Sequence, residues 1–442
     1  MSKERAQASG EETNTVESEQ ASSDNAPSEL TLRSGLAVAG SALAYFISVG
    51  FLNAYGVFQQ FYASEQNHLP DLRNRTSFQI SWLGSFALFA LFFFAPFSGL
   101  SADKFGPTLP TMFGSVALLV AMFTLSLCKT YWQFFLTQGL LLGIGVSFIA
   151  IPASGTVPRY FKRNRGLATG ISVGGSSLGG ILWPIAFDRM LHHDGIGFPW
   201  AVRIAGFTML PLCCICVLTV RWPIRPNSAA SPEEGSDPTT EKGTNGKKKD
   251  LSALKEPPFV LLCAGLFLAI LGFFAPFFFV TTYAVSLGMS PSFSFYLVSI
   301  VNGASLFGRI LPGIVADRWG RFNMLAASAF TAGIIAFCWT TATSVAGLVV
   351  WSAAYGFASG AILSLQLACA TTLVDSDSAG AAVGAVMGST SLATLFGTPI
   401  AGELVKYGYL ALSCFSGAML LAGASLIAAS RLCQSRSLTA RI

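Results

Sequence analysis

Charge is what this chain has least of. Lys, Arg, Asp and Glu make up 11% of its 442 residues, against about a quarter in an ordinary soluble domain. Hydrophobic residues make up 52%, and the mean hydropathy is +0.58. A water-facing surface cannot be assembled from so few charges, which excludes a soluble globular chain. Histidine is nearly missing: His68, His192 and His193 are all there is. No Ser/His/Asp, Cys/His or metal-ligand cluster is visible, so neither an enzyme nor a metal or cofactor site is expected. There is no P-loop, so work done by the protein must draw on gradients rather than ATP. Strand-like alternation is also missing, which excludes a membrane β-barrel built of about ten-residue alternating segments. The nine cysteines lie nearly all within or beside apolar runs, where a thiol acts as a small hydrophobe. Even Cys213-Cys214-x-Cys216 has no histidine nearby. The N-terminal tail shows no charged region, short apolar core and small-residue cleavage site, so the first helix is expected to be retained.

What the chain does have is long apolar runs. A membrane helix needs about 20 of them in a row, and stretches of that length fall near 36–61, 78–98, 108–128, 132–157, 166–187, 200–220, 258–284, 293–315, 323–343, 346–372, 380–401 and 409–430. The expected fold is an all-α membrane protein of twelve transmembrane helices in two six-helix halves, 34–222 and 258–431. Residues 1–33, 223–257 and 432–442 are expected to be a disordered tail, a disordered linker and a short second tail. The first two are Ser-, Pro- and charge-rich and cannot bury enough apolar surface to offset the entropy of ordering.

The halves are related. Gly99-Leu-Ser-Ala102-Asp103-Lys104-Phe-Gly106 recurs as Gly313-Ile-Val-Ala316-Asp317-Arg318-Trp-Gly320, with Arg321 completing the second copy, at a spacing of 214 (313 − 99 = 214). The same offset carries Gly170, Gly174, Ser177 and Leu178 onto Gly384, Gly388, Ser391 and Leu392. Paired halves of this kind are the plan of transporters that rock around a central site. Lys104, Arg159, Lys162, Arg163, Arg165, Arg318 and Arg321 crowd the loops on one side, together with the Lys-rich linker and Arg431, Arg436 and Arg441. The positive-inside rule makes that side, with both termini, cytosolic in a multi-pass cell-membrane protein. The sequon Asn74-Arg75-Thr76 then falls in an outer loop, where Asn74 is a glycosylation candidate. The net charge of +5 serves orientation and contact with membrane lipid rather than nucleic acid, for which no basic-aromatic groove exists.

The repeated loop resembles the signature of the major facilitator superfamily. There Gly99, Asp103, Lys104 and Gly106, and then Gly313, Asp317, Arg318, Gly320 and Arg321, would form a conformational latch. A second stretch, Tyr160-Phe-Lys-Arg-Asn-Arg165-Gly-Leu-Ala-Thr-Gly170-Ile-Ser-Val-Gly174-Gly175-Ser176, resembles the fifth helix of monocarboxylate porters, particularly the fungal branch, as does Gly397-Thr-Pro399-Ile-Ala-Gly402. The resemblance spans about residues 36–430 and implies a secondary active transporter functioning as a monomer. It also implies that Arg309 holds a substrate carboxylate. Two charges found in the family's animal members are replaced: an aspartate one turn earlier is Ser305, and a first-helix lysine has no counterpart between Arg33 and Lys104. That shifts weight from small-acid symport toward larger or less charged compounds.

Independently of the family, polar groups stranded in apolar helices are expensive in lipid and normally face a cavity. Asn53 and Gln60 share one face of the first helix, with Tyr55, Gln59 and Tyr62 on an adjacent one. Asn302, Ser305 and Arg309 fall at i, i+3 and i+7 in the eighth, and Thr281, Thr282 and Tyr283 in the seventh come next. Each could equally form an interhelical hydrogen bond, and Arg309, about 9 Å from its helix end at 1.5 Å per residue, could snorkel. Gly166, Gly170 and Gly174, and again Gly380, Gly384 and Gly388, lay small-residue stripes suited to sliding interfaces. Of the acids near outer helix ends, Glu65, Asp188 and Glu403, the last is the first candidate for proton coupling. The expected activity is passage of a small organic compound or carboxylate across the membrane, with protons as a partner. The alternatives are export of a secondary metabolite and a non-transporting sensor on the same fold.

Overall fold

The computed structural model describes residues 31–63, 70–161, 165–193, 195–222, 252–374 and 379–435. Among them every regular element is helical. The spanning helices are α1 (Leu32–Ala63), α2 (Ser77–Phe105), α3 (Thr108–Leu125), α4 (Tyr131–Arg159), α5 (Arg165–Asp188) and α6 (Phe198–Thr219). The second half supplies α7 (Pro257–Ser286), α8 (Pro291–Trp319), α9 (Arg321–Phe337), α10 (Val345–Thr372), α11 (Ala379–Leu404) and α12 (Tyr409–Gln434). Eleven of these are long and apolar enough to cross a membrane on their own, while α9 has 17 residues. Most of the expected tails and linker lie outside the described residues. Where the ends are described, helix reaches further than the apolar runs: Thr31 caps α1 by accepting from the Ser34 amide, and α12 continues to Gln434.

The sequence register is also a structural register. Helices α2 and α4 start at residues 77 and 131, and α8 and α10 at 291 and 345, each 214 later (291 − 77 = 345 − 131 = 214). Local chemistry fixes several of these starts. Thr76 and Gln79 form a capping box at α2, Ser290 caps α8 and Ser344 caps α10, each satisfying an otherwise unpaired first-turn amide. At the other end of α2 and α8, Gly106 and Gly320 have φ of 80° and 96°, a region that costs other residues strain. These two glycines of the repeated loop therefore serve the turn itself. Gly99 and Gly313, earlier in each copy, have little or nothing near where a Cβ would sit, so they do not serve close helix packing here.

At one proline inside a helix the freed carbonyl is compensated from a neighbour. Pro276 has no amide to offer Gly272, and Ser416 of α12 donates its hydroxyl to that carbonyl at 2.7 Å. One step on, the Tyr355 hydroxyl of α10 donates to the Phe273 carbonyl at 2.8 Å. Both bonds lock α7 into its own half.

The halves meet along two seams, α2 with α11 and α5 with α8, and where α1 crosses α7. The internal repeat exchanges the two seams, since it maps α2 onto α8 and α5 onto α11. The first and last described residues, Thr31 and Ser435, lie at one face of the bundle, termed the tail face. At the opposite face the closure is tight. The Thr281 hydroxyl donates to the Gly56 carbonyl at 3.1 Å, and the Tyr55 and Phe278 rings lie 4.9 Å apart. A Cβ on Gly402 would come 2.6 Å from the Ser81 hydroxyl. Toward the tail face the seams differ. A Cβ on Gly174 would lie 2.8 Å from Leu306, yet Gly384 and Gly388, 214 residues after Gly170 and Gly174, have nothing within 4 Å. The stripe on α5 is a packed interface and the one on α11 faces open space, as does Gly155 of α4. The side chains of Gly166's and Gly380's neighbourhoods fall outside what is described.

Candidate functional site: the polar interior between the halves

The central polar residue is Arg309 on α8. It is 6% exposed and reaches across the seam, donating to the Ser176 hydroxyl and, at 3.5 Å, to the Val173 carbonyl of α5. Its Nε has no protein partner, and none of the described carboxylates forms an ion pair with it. A cation this deep costs about 3 kcal/mol or more to place in a membrane, so its position demands an electrostatic return. Snorkelling is not what it does: the guanidinium points at α5 and is buried there.

Asn302, two turns along α8, also faces α5, where a Cβ on Gly180 would come 2.3 Å from its amide carbon. Its Nδ2 donates to the Val298 carbonyl at 2.9 Å and its Oδ1 has no partner. Ser305 leaves this face. It is buried against α10, with its hydroxyl 3.0 Å from where a Gly360 Cβ would be. The i, i+3, i+7 grouping therefore splits, because Ser305 lies about 60° from Asn302 and about 40° from Arg309 on a helix turning 100° per residue.

On α1, Asn53, Gln59 and Gln60 are all buried. Asn53 Nδ2 and Gln59 Oε1 lack partners, while Gln59 Nε2 stands 3.5 Å from the Ser81 hydroxyl of α2. Tyr55 is committed elsewhere, since its hydroxyl donates to the Ile80 carbonyl at 2.8 Å. Tyr283 sits at the far end of the second half, its ring against Trp339 and Tyr409 and its hydroxyl 3.4 Å from the Thr340 carbonyl. These two tyrosines hold helices together. Glu403 forms an exposed 2.7 Å ion pair with Lys406. Asn74 is exposed, but the Thr76 of its sequon is engaged in capping α2.

In the repeated loop, Asp103 pairs with Arg159 at the end of α4, 3.0 Å away, and not with the adjacent Lys104, whose ammonium lies 5.1 Å from the Phe105 ring. Arg318 and Arg321 are exposed. The Asp317 side chain, and with it Glu65 and His68, lies outside what is described.

Sequence reasoning passed over several buried polar groups. Ser176 is the partner of Arg309, while Gln366 on α10 and Thr398 on α11 each bury an oxygen with no partner. Gln366 was findable by the rule that selected Asn302, an amide stranded in an apolar run. Ser176 was not, because a serine in a glycine-rich helix carries no such signal.

Two pseudo-equivalent helical halves, sealed against each other at one face and burying unpaired polar groups between them, define a membrane carrier. The chain belongs to the Major Facilitator Superfamily, whose family model matches residues 36–398, and is a multi-pass membrane transporter. It is 47% identical over 422 residues, 95% of this chain and 92% of the relative, to the agnestins efflux protein AgnL12 of Paecilomyces divaricatus. It is 34% identical over 394 residues, 88% of this chain and 76% of the relative, to the aspyridones efflux protein apdF of Emericella nidulans. In fold it is similar to a bacterial homolog of the human lysosomal transporter Spinster, solved inward-facing and unoccupied, with a TM-score of 0.60 and 16% identity over 91% of this chain and 96% of that one.

Proposed function

We propose that this protein exports a small organic metabolite from the cell by alternating access. The observation that carries export is the near-full-length similarity to proteins named for the efflux of agnestins and of aspyridones. The interior geometry supports the same direction of loading. The closed face is the one opposite the tails, and the density of Lys and Arg supports a cytosolic tail face, the side on which a compound made in the cell is found. The plasma membrane is the membrane in question and the monomer is the working unit.

Arg309 is the contact for an acidic group on the substrate, a carboxylate or an ionised hydroxyl, and Asn53, Gln59, Gln60 and Asn302 offer hydrogen bonds along the way. The fifth-helix resemblance to monocarboxylate porters supports an acidic substrate, while Ser305 and the lysine-free first helix favour one larger than a simple acid. Glu403, paired with Lys406, is the weakest part of a proton-coupled scheme.

The test is deletion of the gene followed by comparison of metabolites in cells and medium. Export predicts compounds that rise inside and fall outside, and that the wild-type gene restores. Compounds that instead accumulate in the medium would reverse the direction to uptake.

A further inference from the structure

At the tail face three helix ends meet on one guanidinium. Arg159, the last residue of α4, donates to Asp103 of α2 at 3.0 Å, and its Cζ lies 3.5 Å from the ring centroid of Trp222, three residues beyond α6. The adjacent residues form a second tie: the Tyr160 hydroxyl donates to the Arg221 carbonyl at 2.9 Å. The backbone that delivers Trp222 is thus fastened to the same helix end that carries Arg159.

We propose that Trp222 is a gating residue of the first half. It braces Arg159 for the Asp103 ion pair, so that the ends of α2, α4 and α6 move as one unit and the chain leaving α6 is part of the latch. This rests on alternating access but not on any particular substrate.

Three considerations support it. The Arg159 and Asp103 side chains are 43% and 67% exposed, and an ion pair that open is weak by itself. A guanidinium pressed flat on an indole loses one hydrated face and much of its freedom, so the carboxylate finds it already placed. The arrangement is also not a by-product of the internal repeat. The residue matching Arg159 in the second half is Leu373 (373 − 159 = 214), so the stack belongs to the first half alone. Finally, each contact is weak enough to be broken during a conformational cycle, which a latch requires.

The test uses the full chain in lipid nanodiscs with spin labels on noncanonical residues at positions 155 and 384, where no neighbour lies within 4 Å of a Cβ. Interlabel distances report opening of the tail face. Trp222→Ala is expected to shift the ratio of the two distance populations about two- to fivefold, in the same direction as Asp103→Asn. Trp222→Phe, which keeps a ring, stays near wild type, and Trp222→Ala combined with Asp103→Asn shifts no further than Asp103→Asn alone. A Trp222→Ala distribution equal to wild type overturns the proposal. So does an effect that adds in full to that of Asp103→Asn, or one accompanied by a fallen thermal midpoint that Trp222→Phe shares.

Discussion

The hydroxyl of Thr281 on α7 donates to the carbonyl of Gly56 on α1 at 3.1 Å, joining the two halves opposite the tail face. Gly56 is there because α1 and α7 touch by backbone: a Cβ would stand 2.8 Å from the Phe277 carbonyl. Gly56→Ala is therefore expected to wedge this face and favour the state in which it is open. Thr281→Val removes one hydrogen bond, worth about 1 kcal/mol, and should change the ratio of states about fivefold in the same direction. Labelling of a cysteine placed beside Gly56, from the face opposite the tails, should rise in both variants. Unchanged labelling in Gly56→Ala would show that the halves separate elsewhere.

Arg309 ties α8 to α5 through Ser176 and Val173 while its Nε stays unpaired. If that nitrogen and the guanidinium edge receive an acidic substrate group, Arg309→Lys should lower transport about tenfold or more despite keeping the charge. A lysine offers no planar fork, and a lost charged hydrogen bond costs about 1.5–3 kcal/mol. Ser176→Ala should cost much less, since it removes an internal partner only. Efflux of the compounds identified by gene deletion is the measurement, and near-normal efflux by Arg309→Ala would reduce the residue to a seam clasp.

The architecture was legible because its signals are additive along the chain. Twelve apolar runs and a 214-residue repeat each draw on many residues, and the helix starts at 77 and 291, and at 131 and 345, follow the repeat without slippage. The interior was only partly legible. Periodicity grouped Ser305 with Arg309, yet packing against Gly360 turned it to α10. Tyr55 and Tyr283 looked like cavity residues because a hydroxyl in an apolar helix needs a partner, but Tyr55 found a backbone carbonyl on α2 and Tyr283 one in the connection between α9 and α10. Which partner a buried polar group takes depends on neighbours far away in sequence, as with Asp103, which takes Arg159 from 56 residues on and leaves Lys104 aside.

The two glycine stripes give a further contrast. Gly174 and Gly388 match in the repeat, but only Gly174 is in contact, with Leu306. Gly388→Ala should gain up to about 1 kcal/mol from helix propensity in the state seen here. In Gly174→Ala that gain is offset by displacement of Leu306, leaving little net change or a loss. Bulk sharpens the difference: Gly174→Val should lower the thermal midpoint in detergent and Gly388→Val should not. If α11 closes on its neighbour later in the cycle, Gly388→Val will keep its stability and lose efflux. Equal destabilisation by the two valines would mean that α11 is already packed.

The last prediction concerns pH and the short helix Pro70–Arg73 between α1 and α2. The Tyr131 amide donates to Asp71 at 2.7 Å, and Arg75 donates at 2.8 Å, so the carboxyl is held below its ordinary value of 3.8, chiefly by the backbone bond and then by the arginine. A carboxyl depressed in the folded state contributes stability above the unfolded value and loses it as pH falls through the folded one. Asp71→Asn keeps an acceptor for the amide and removes only the charge. Its thermal midpoint should fall slightly below wild type at pH 7 and equally at pH 5, and the gap should close only as pH falls below the ordinary value of 3.8 and on through the lower folded one. Added salt should narrow the gap at pH 7, because the Arg75 and Asp71 side chains are each 34% exposed. A gap that already closes between pH 7 and pH 5 would assign the effect to another group, and one that does not narrow at all on acidification below 3.8 would assign it to packing of the loop against α4.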